Sequence, residues 1–370
     1  MNSKNSNSLP HFPFTFPSYE DWVKVARQEL EGVDPNEKLS LKKGNLEIRP
    51  FYTNDQKEES SYSLLKASSN PHYGARGWVN MPKILVSDEK KANEIALSYL
   101  NSGADGILFD CPSLELNPAI LLNRISLTDC SISFLANEAS DKWLNDFQIF
   151  AKSNFEKKEI RGCVFWRSIP KNFADLVQSF ARWPQFYSIG IIVEQQEDAV
   201  DEIAQSLNKV VQLIDALSEK NISAQIILDQ ISFSIAVGTD FFLDIAKIKS
   251  LRNLWCQVRG AYNIKNARPL HIQATSTMWM KDIFQPHGNM IKSTTSSMAA
   301  IAGGCDSLTV EPEDHNNETM SRIARNVSSI LREESHFSKV ADPTAGSYYI
   351  DSLTSQLSEK AWNKFQSLMK

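Results

Sequence analysis

The sequence predicts an α/β protein: a (β/α)8 TIM barrel preceded by an extended N-terminal arm. Three observations lead there. Between about residue 76 and residue 334, short apolar stretches alternate with amphipathic helical stretches. Strands that alternate with helices pair in parallel through crossovers. Eight such units in about 260 residues match the usual size of a closed barrel. An open doubly wound sheet is the structural alternative. It would carry a glycine-rich phosphate loop after its first strand, and neither G-x-G-x-x-G nor G-x-x-x-x-G-K-[ST] occurs. The expected division is residues 1–75 as flexible tail and arm, and residues 76–370 as barrel with a C-terminal helical extension.

Taken in order, Met1 to Pro10 is rich in Asn and Ser and has no apolar core, so it reads as a flexible tail and not a signal peptide. Phe12-Pro13-Phe14-Thr15-Phe16-Pro17 is proline-spaced and should be extended. Ser18, with Asp21 three residues on, reads as the N-cap of a helix from Tyr19 to about Leu30. Leu46 to Tyr52 alternates as a strand does, and Ser60 to Tyr73 is polar loop. The barrel strands are expected at Val79–Leu85, Gly106–Asp110, Ile132–Ala136, Gly162–Trp166, Tyr187–Val193, Ile231–Val237, Leu270–Ala274 and Ser307–Val310. A ninth apolar run, Ala224–Leu228, reads as the entry to the sixth strand. Three helical stripes stand out. The first is Ala92, Ile95, Ala96, Tyr99 and Leu100. The second is Val200, Ile203, Ala204, Leu207, Val210, Val211, Ile214 and Leu217. The third is Met320, Ile323, Val327, Ile330 and Leu331.

Composition narrows the function. The 370 residues carry a net charge of −5, with no clustered basic face for nucleic acid. No apolar run is long enough to span a membrane. The five cysteines, Cys111, Cys130, Cys163, Cys256 and Cys305, form no C-x-x-C pair, which points to a reducing, cytoplasmic setting. No histidine is evidently paired with any of them, so a catalytic cysteine is not expected.

Barrel chemistry belongs at the C-terminal ends of the strands. Asp110, Glu138, Glu194, His271, Gln273, Glu311, Asp314 and His315 are the residues expected there. They suggest either a carboxylate and histidine metal site or the ordinary polarity of loops. H-x-H and H-E-x-x-H are both absent, which favours the second, so neither metal ligands nor catalytic residues are assigned. Arg259, Lys265 and Arg268, ahead of the seventh strand, offer a phosphate or carboxylate contact or a solvated surface. Trp279-Met280, Phe284 and Met290 offer a cleft lining or core. His271, Gln273 and Arg259 are the candidate substrate contacts at the barrel mouth.

Several long segments resemble the methylmalonyl-CoA mutase family. They include Asn289-Met290-Ile291-Lys292-Ser293-Thr294, Met298 to Leu308 with Gly303-Gly304-Cys305-Asp306, and Arg322-Ile323-Ala324-Arg325-Asn326. Glu333-Glu334-Ser335, Asp342-Pro343 and Gly346-Ser347-Tyr348-Tyr349 continue the match, as do Asp240 to Lys247 and, in the arm, Trp22, Ala26 and Leu46 to Thr53. The resemblance implies a TIM barrel, acyl-CoA chemistry and an adenosylcobalamin cofactor. It also implies departures. Catalytic members have a Tyr-His pair and then Gln-Glu-Ala-Gly-Ala at the fifth strand. Here the stretch reads Gly190-Ile191-Ile192-Val193-Glu194-Gln195-Gln196, with the histidine position at Ile191. Gly74-Ala75-Arg76-Gly77-Trp78 replaces the family's Arg-Gln-Tyr-Ala-Gly-Phe. No D-x-H-x-x-G cobalamin signature occurs before the sequence stops at Lys370, whether the natural chain is short or truncated.

The pattern resembles the small, or beta, subunit of heterodimeric mutases. That implies a non-catalytic barrel that does not itself bind the cofactor, partnered by a catalytic large subunit and able to form a homodimer when isolated. The alternatives are an active mutase barrel served by a separate cobalamin-domain chain, or a stand-alone metal-dependent hydrolase or aldolase.

Overall fold

The computed structural model describes residues 17–53, 65–67, 74–112, 115–154, 160–264, 266, 268–277 and 288–369. The aromatic run 12–16, most of the polar stretch 60–73, Lys265, Trp279, Met280 and Phe284 lie outside the described residues. The chain divides into two compact units, 1–60 and 61–370.

In the first unit, α1 (Tyr19–Glu29) begins with the expected cap. The Asp21 amide donates to Ser18 Oγ and the Ser18 amide to Asp21 Oδ2, each at 3.1 Å, so two otherwise orphaned amides are satisfied reciprocally. A short α2 (Pro35–Leu39) follows, with proline in its first turn. β1 (Leu41–Lys43) and β2 (Leu46–Ile48) pair antiparallel. The second of these is shorter than the expected Leu46 to Tyr52. Pro50 has no amide to give a ladder, and the Arg49 amide donates instead to Tyr52 Oη at 2.9 Å. Trp22 stacks on Phe51 with centroids 5.1 Å apart.

The second unit is the barrel. Its chain order opens with β3 (Val79–Asn80), β4 (Lys83–Leu85), α3 (Glu89–Asn101), β5 (Gly106–Asp110), α4 (Pro118–Leu121), β6 (Ser131–Ala136) and α5 (Asp141–Asn154). Next come β7 (Arg161–Trp166), α6 (Phe173–Phe180), β8 (Gln185–Ile192), α7 (Ala199–Ser218), α8 (Ala224–Leu228), β9 (Ile231–Val237) and α9 (Phe241–Ala261). It ends with β10 (His271–Ser276), α10 (Gly288–Gly303), β11 (Ser307–Thr309), α11 (Glu318–Glu333) and α12 (Tyr348–Leu368). The nine barrel strands are parallel, in the order β3-β11-β10-β9-β8-β7-β6-β5-β4.

The two ends of that order, β3 and β4, are halves of the predicted first strand. Pro82 interrupts it, because proline cannot donate to the ladder. The Met81 amide still bonds the Leu308 carbonyl at 2.9 Å, and the Leu108 amide bonds the Pro82 carbonyl at 3.0 Å. The interrupted strand therefore touches both the last strand and the second, and closes a ring of eight.

Ala224–Leu228 is not the entry to a strand. Ser223 caps it as one helical turn, and Gln230 Nε2 reaches back to the Ile226 and Val177 carbonyls at 3.3 and 2.9 Å. Between sheet and helices lies an aromatic layer. Phe134 meets Phe147 edge-on at 5.2 Å, and Phe180 stacks on Phe186 at 5.0 Å. The helix α12 packs against α7 and α9 and covers them with Ile350, Leu353, Leu357, Ala361 and Phe365.

Candidate functional site

Which side chains fill the bore follows from one contact. Cys163 on β7 lies 3.3 Å from His271 Nδ1 on β10, three places round the ring, and only the interior can bring them together. Met81, Leu108, Cys163 and Phe165 form a buried cluster, with Leu135, Tyr187 and Ile192 packed against it. Their strands make up one side of the bore. The other side is polar. Gln273 Nε2 donates to Thr309 Oγ1 at 2.9 Å, and His271 Nε2 lies 3.4 Å from Ser307 Oγ. Among the described residues, bulky side chains from the first side thus meet small polar ones from the second and pack within the bore.

His271 opens β10 and sits at the floor of the barrel, not at the mouth. It stacks on Tyr187 at 5.3 Å, and both line a floor cavity of about 330 Å3 with Arg161, Arg268 and Asp306. Asp306 Oδ2 accepts from Arg252 at 2.9 Å and from the Ile272 amide at 2.8 Å. Burial pushes the His271 pKa down, so the ring is neutral at physiological pH. Burial works against ionising Asp306, but the Arg252 and Arg76 guanidiniums outweigh it and hold the carboxyl below its usual range.

Arg259 lies in the last turn of α9, where it donates to the Arg268 carbonyl at 3.2 Å. That too is the floor end, because crossover helices run antiparallel to the strands. Gln273 is wholly buried midway along the bore. The three candidate substrate contacts therefore do not converge on the mouth.

The mouth carries paired charges. Arg167 makes a two-pronged contact with Asp110 at 2.7 and 2.9 Å, from the fourth strand position to the second. Lys83 pairs with Glu311, which His315 also approaches at 3.0 Å. Burial opposes ionisation of Glu311, yet His315 and Lys83 keep its pKa low. Asp110 and Glu311 thus sit where the sequence puts them, but paired with cations. Glu138 opens a short turn whose amide donates to Ser168, Glu194 contacts Lys209 at the surface, and Asp314 caps a turn at Asn316. Among the described residues no group of three His, Cys, Asp or Glu side chains could hold a metal ion. Arg167 and Lys83 are not singled out by the sequence, where Arg167 only follows an apolar run and Lys83 lies inside the predicted first strand.

The family model described as methylmalonyl-CoA mutase matches residues 171–370. The methylmalonyl-CoA mutase small subunit of Porphyromonas gingivalis is 30% identical over 95% of this chain and 62% of its own length. The small subunit from Streptomyces virginiae is 35% identical over 96% of this chain and 64% of its own. The chain belongs to the methylmalonyl-CoA mutase family. It spans a little over three-fifths of the length of these two relatives. The mitochondrial methylmalonyl-CoA mutase of Bos taurus is 25% identical over 93% of the chain. A solved Yersinia pestis dihydropteroate synthase aligns at 12% identity with a TM-score of 0.36, too low to bear on function.

The structure sharpens the family's fifth-strand departure. Ile191 stands in register with Trp166 and Phe233, whose rings meet the helix residues Phe173 and Trp255. It therefore faces the helix layer. Its neighbour Ile192 packs into the bore. The replaced first-strand segment serves the floor: Arg76 donates to the Cys305 carbonyl at 2.8 Å, and Trp78 Nε1 to Ser328 at 2.8 Å.

The family's cobalamin cofactor and its substrate would need room and polar contacts at the barrel mouth. Among the described residues, apolar Phe165, Leu135 and Ile192 pack together there, and the described imidazole at the mouth, His315, is engaged by Glu311. These residues do not fit the group.

Proposed function

We propose that this chain is the small, non-catalytic subunit of a heterodimeric, adenosylcobalamin-dependent methylmalonyl-CoA mutase. It stabilises the large subunit that interconverts methylmalonyl-CoA and succinyl-CoA. The observation that carries this reading is the packed bore. Ile192 and Phe165 stand where a thioester would need a hydrogen-bond donor and room. The small-subunit names of the two relatives above support the choice of partner. The N-terminal arm, residues 1–75, belongs to the same reading. Its apolar side chains Val25, Val33 and Leu41 are about half exposed or more, as an interface segment's would be. His271 and Gln273, with Arg259 near the floor, are read as remnants of substrate contacts. A cytoplasmic location, and a homodimer when the partner is absent, complete the proposal.

Sedimentation with the cognate large subunit should give a 1:1 complex. An absorbance titration of the isolated chain with adenosylcobalamin should show no saturable binding. Saturation at micromolar cofactor, or two chains that sediment independently, would overturn the reading.

A further inference from the structure

Behind the mouth, between α7 and α9, lies a buried ionic cluster that the proposed function does not use. Lys247, Glu202 and Asp244 have side chains only 6, 7 and 5% exposed. Lys247 Nζ lies 3.0 Å from Glu202 Oε2 and 3.1 Å from Asp244 Oδ1, within ion-pair distance of both, and donates to the Ala236 carbonyl at 3.0 Å. Burial alone would discharge the lysine, but Asp244 and Glu202 outweigh it and raise its pKa.

What sets this cluster apart from a simple buried pair is where the remaining carboxylate oxygens point. Glu202 Oε1 accepts from the Gln196 amide at 3.3 Å, in the loop after β8. Asp244 Oδ2 accepts from the buried Gly238 amide at 2.6 Å, in the loop after β9. One cation therefore orients two carboxylates, and each carboxylate holds the backbone of one mouth loop. The Ala236 carbonyl ties the same cation to the end of β9. Removing one member of a buried charge cluster leaves the others uncompensated, so the three act as a unit.

We infer that Lys247 is a buried lock that fixes the loops after the fifth and sixth barrel strands in one conformation, so that this edge of the mouth is formed before any partner arrives. The inference concerns the chain by itself and stands whether or not the assembly reading holds.

Hydrogen exchange read by mass spectrometry tests it on the full chain. In Lys247→Met, peptides containing the Gln196 and Gly238 amides should exchange at least tenfold faster than in the wild type. Peptides from β4 and β5, on the far side of the ring, should not change. Lys247→Arg should restore protection at least partly. Should Lys247→Met fail to fold, Glu202→Gln serves instead. It removes the charge pair but keeps an acceptor, and is expected to loosen the Gln196 loop more than tenfold with the far strands unchanged. Unaltered exchange at both loops, or a uniform rise over the whole barrel, would overturn the lock.

Discussion

At the first residue of interest, no side chain is tolerated at all. Gly162 in β7 has φ +149°, and a Cβ there would lie 1.7 Å from the Ile132 carbonyl oxygen. Backbone cannot retreat from that position without breaking the β6–β7 ladder. Gly162→Ala should therefore cost about 3 kcal/mol or more, measured by urea denaturation. A loss below about 1 kcal/mol, the size of an ordinary surface change, would show that the strands can separate there. The sequence shows this glycine only as the first residue of an apolar strand run. The pairing of Cys163 with His271 was equally hidden, since the two are 108 residues apart. The same limit explains the fifth strand: two adjacent isoleucines look alike in sequence, and only the register with Trp166 and Phe233 shows which one faces the bore.

Elements were legible where period and cap agreed. All eight residues of the predicted stripe in α7 are buried, and Ser18 and Asp21 form the expected box at α1. The buried faces of α3 and α11 are narrower than their spacing predicts, for Ile95 and Ile330 remain 41 and 46% exposed. Short apolar runs were ambiguous, as α8 shows. Five residues satisfy a strand pattern and a single helical turn alike, and a serine cap decided between them. The last helix, α12, has Leu357 fully buried against its neighbours. Leu357→Ala should destabilise the barrel by about 3 kcal/mol in denaturant titration. A change near zero would mean that α12 is not part of the cooperative unit.

For the molecule as a whole, the shifted groups that titrate at acidic pH pull in one direction. His271, Asp306, Glu311 and Asp342 all have pKa values lowered in the fold. A group with a depressed folded pKa binds fewer protons folded than unfolded. Its contribution is complete above the unfolded value and is lost as pH falls. The His271 contribution should erode first, below its ordinary value of 6.5. The carboxylates should follow below their ordinary values of 4.5 for Glu311 and 3.8 for the aspartates. Melting temperature should thus decline steadily on acidification from neutral pH. A profile that stays flat down to the carboxylate range would contradict the ionised floor and mouth.

Periodicity alone determined that this chain alternates strands and helices as a parallel α/β fold does, because burying one face of a strand or helix imposes a local repeat that any sequence must display. The residues at strand ends were likewise readable, since Asp110 and Glu311 do sit at the mouth. Only the tertiary structure decided what those positions contain. Closure of the ring at Pro82, the placement of His271 and Arg259 at the floor, the packed bore and the lock at Lys247 all depend on contacts between strands and helices far apart in the chain. Pairing across a ring is set by register and by strand direction, and neither leaves a local mark.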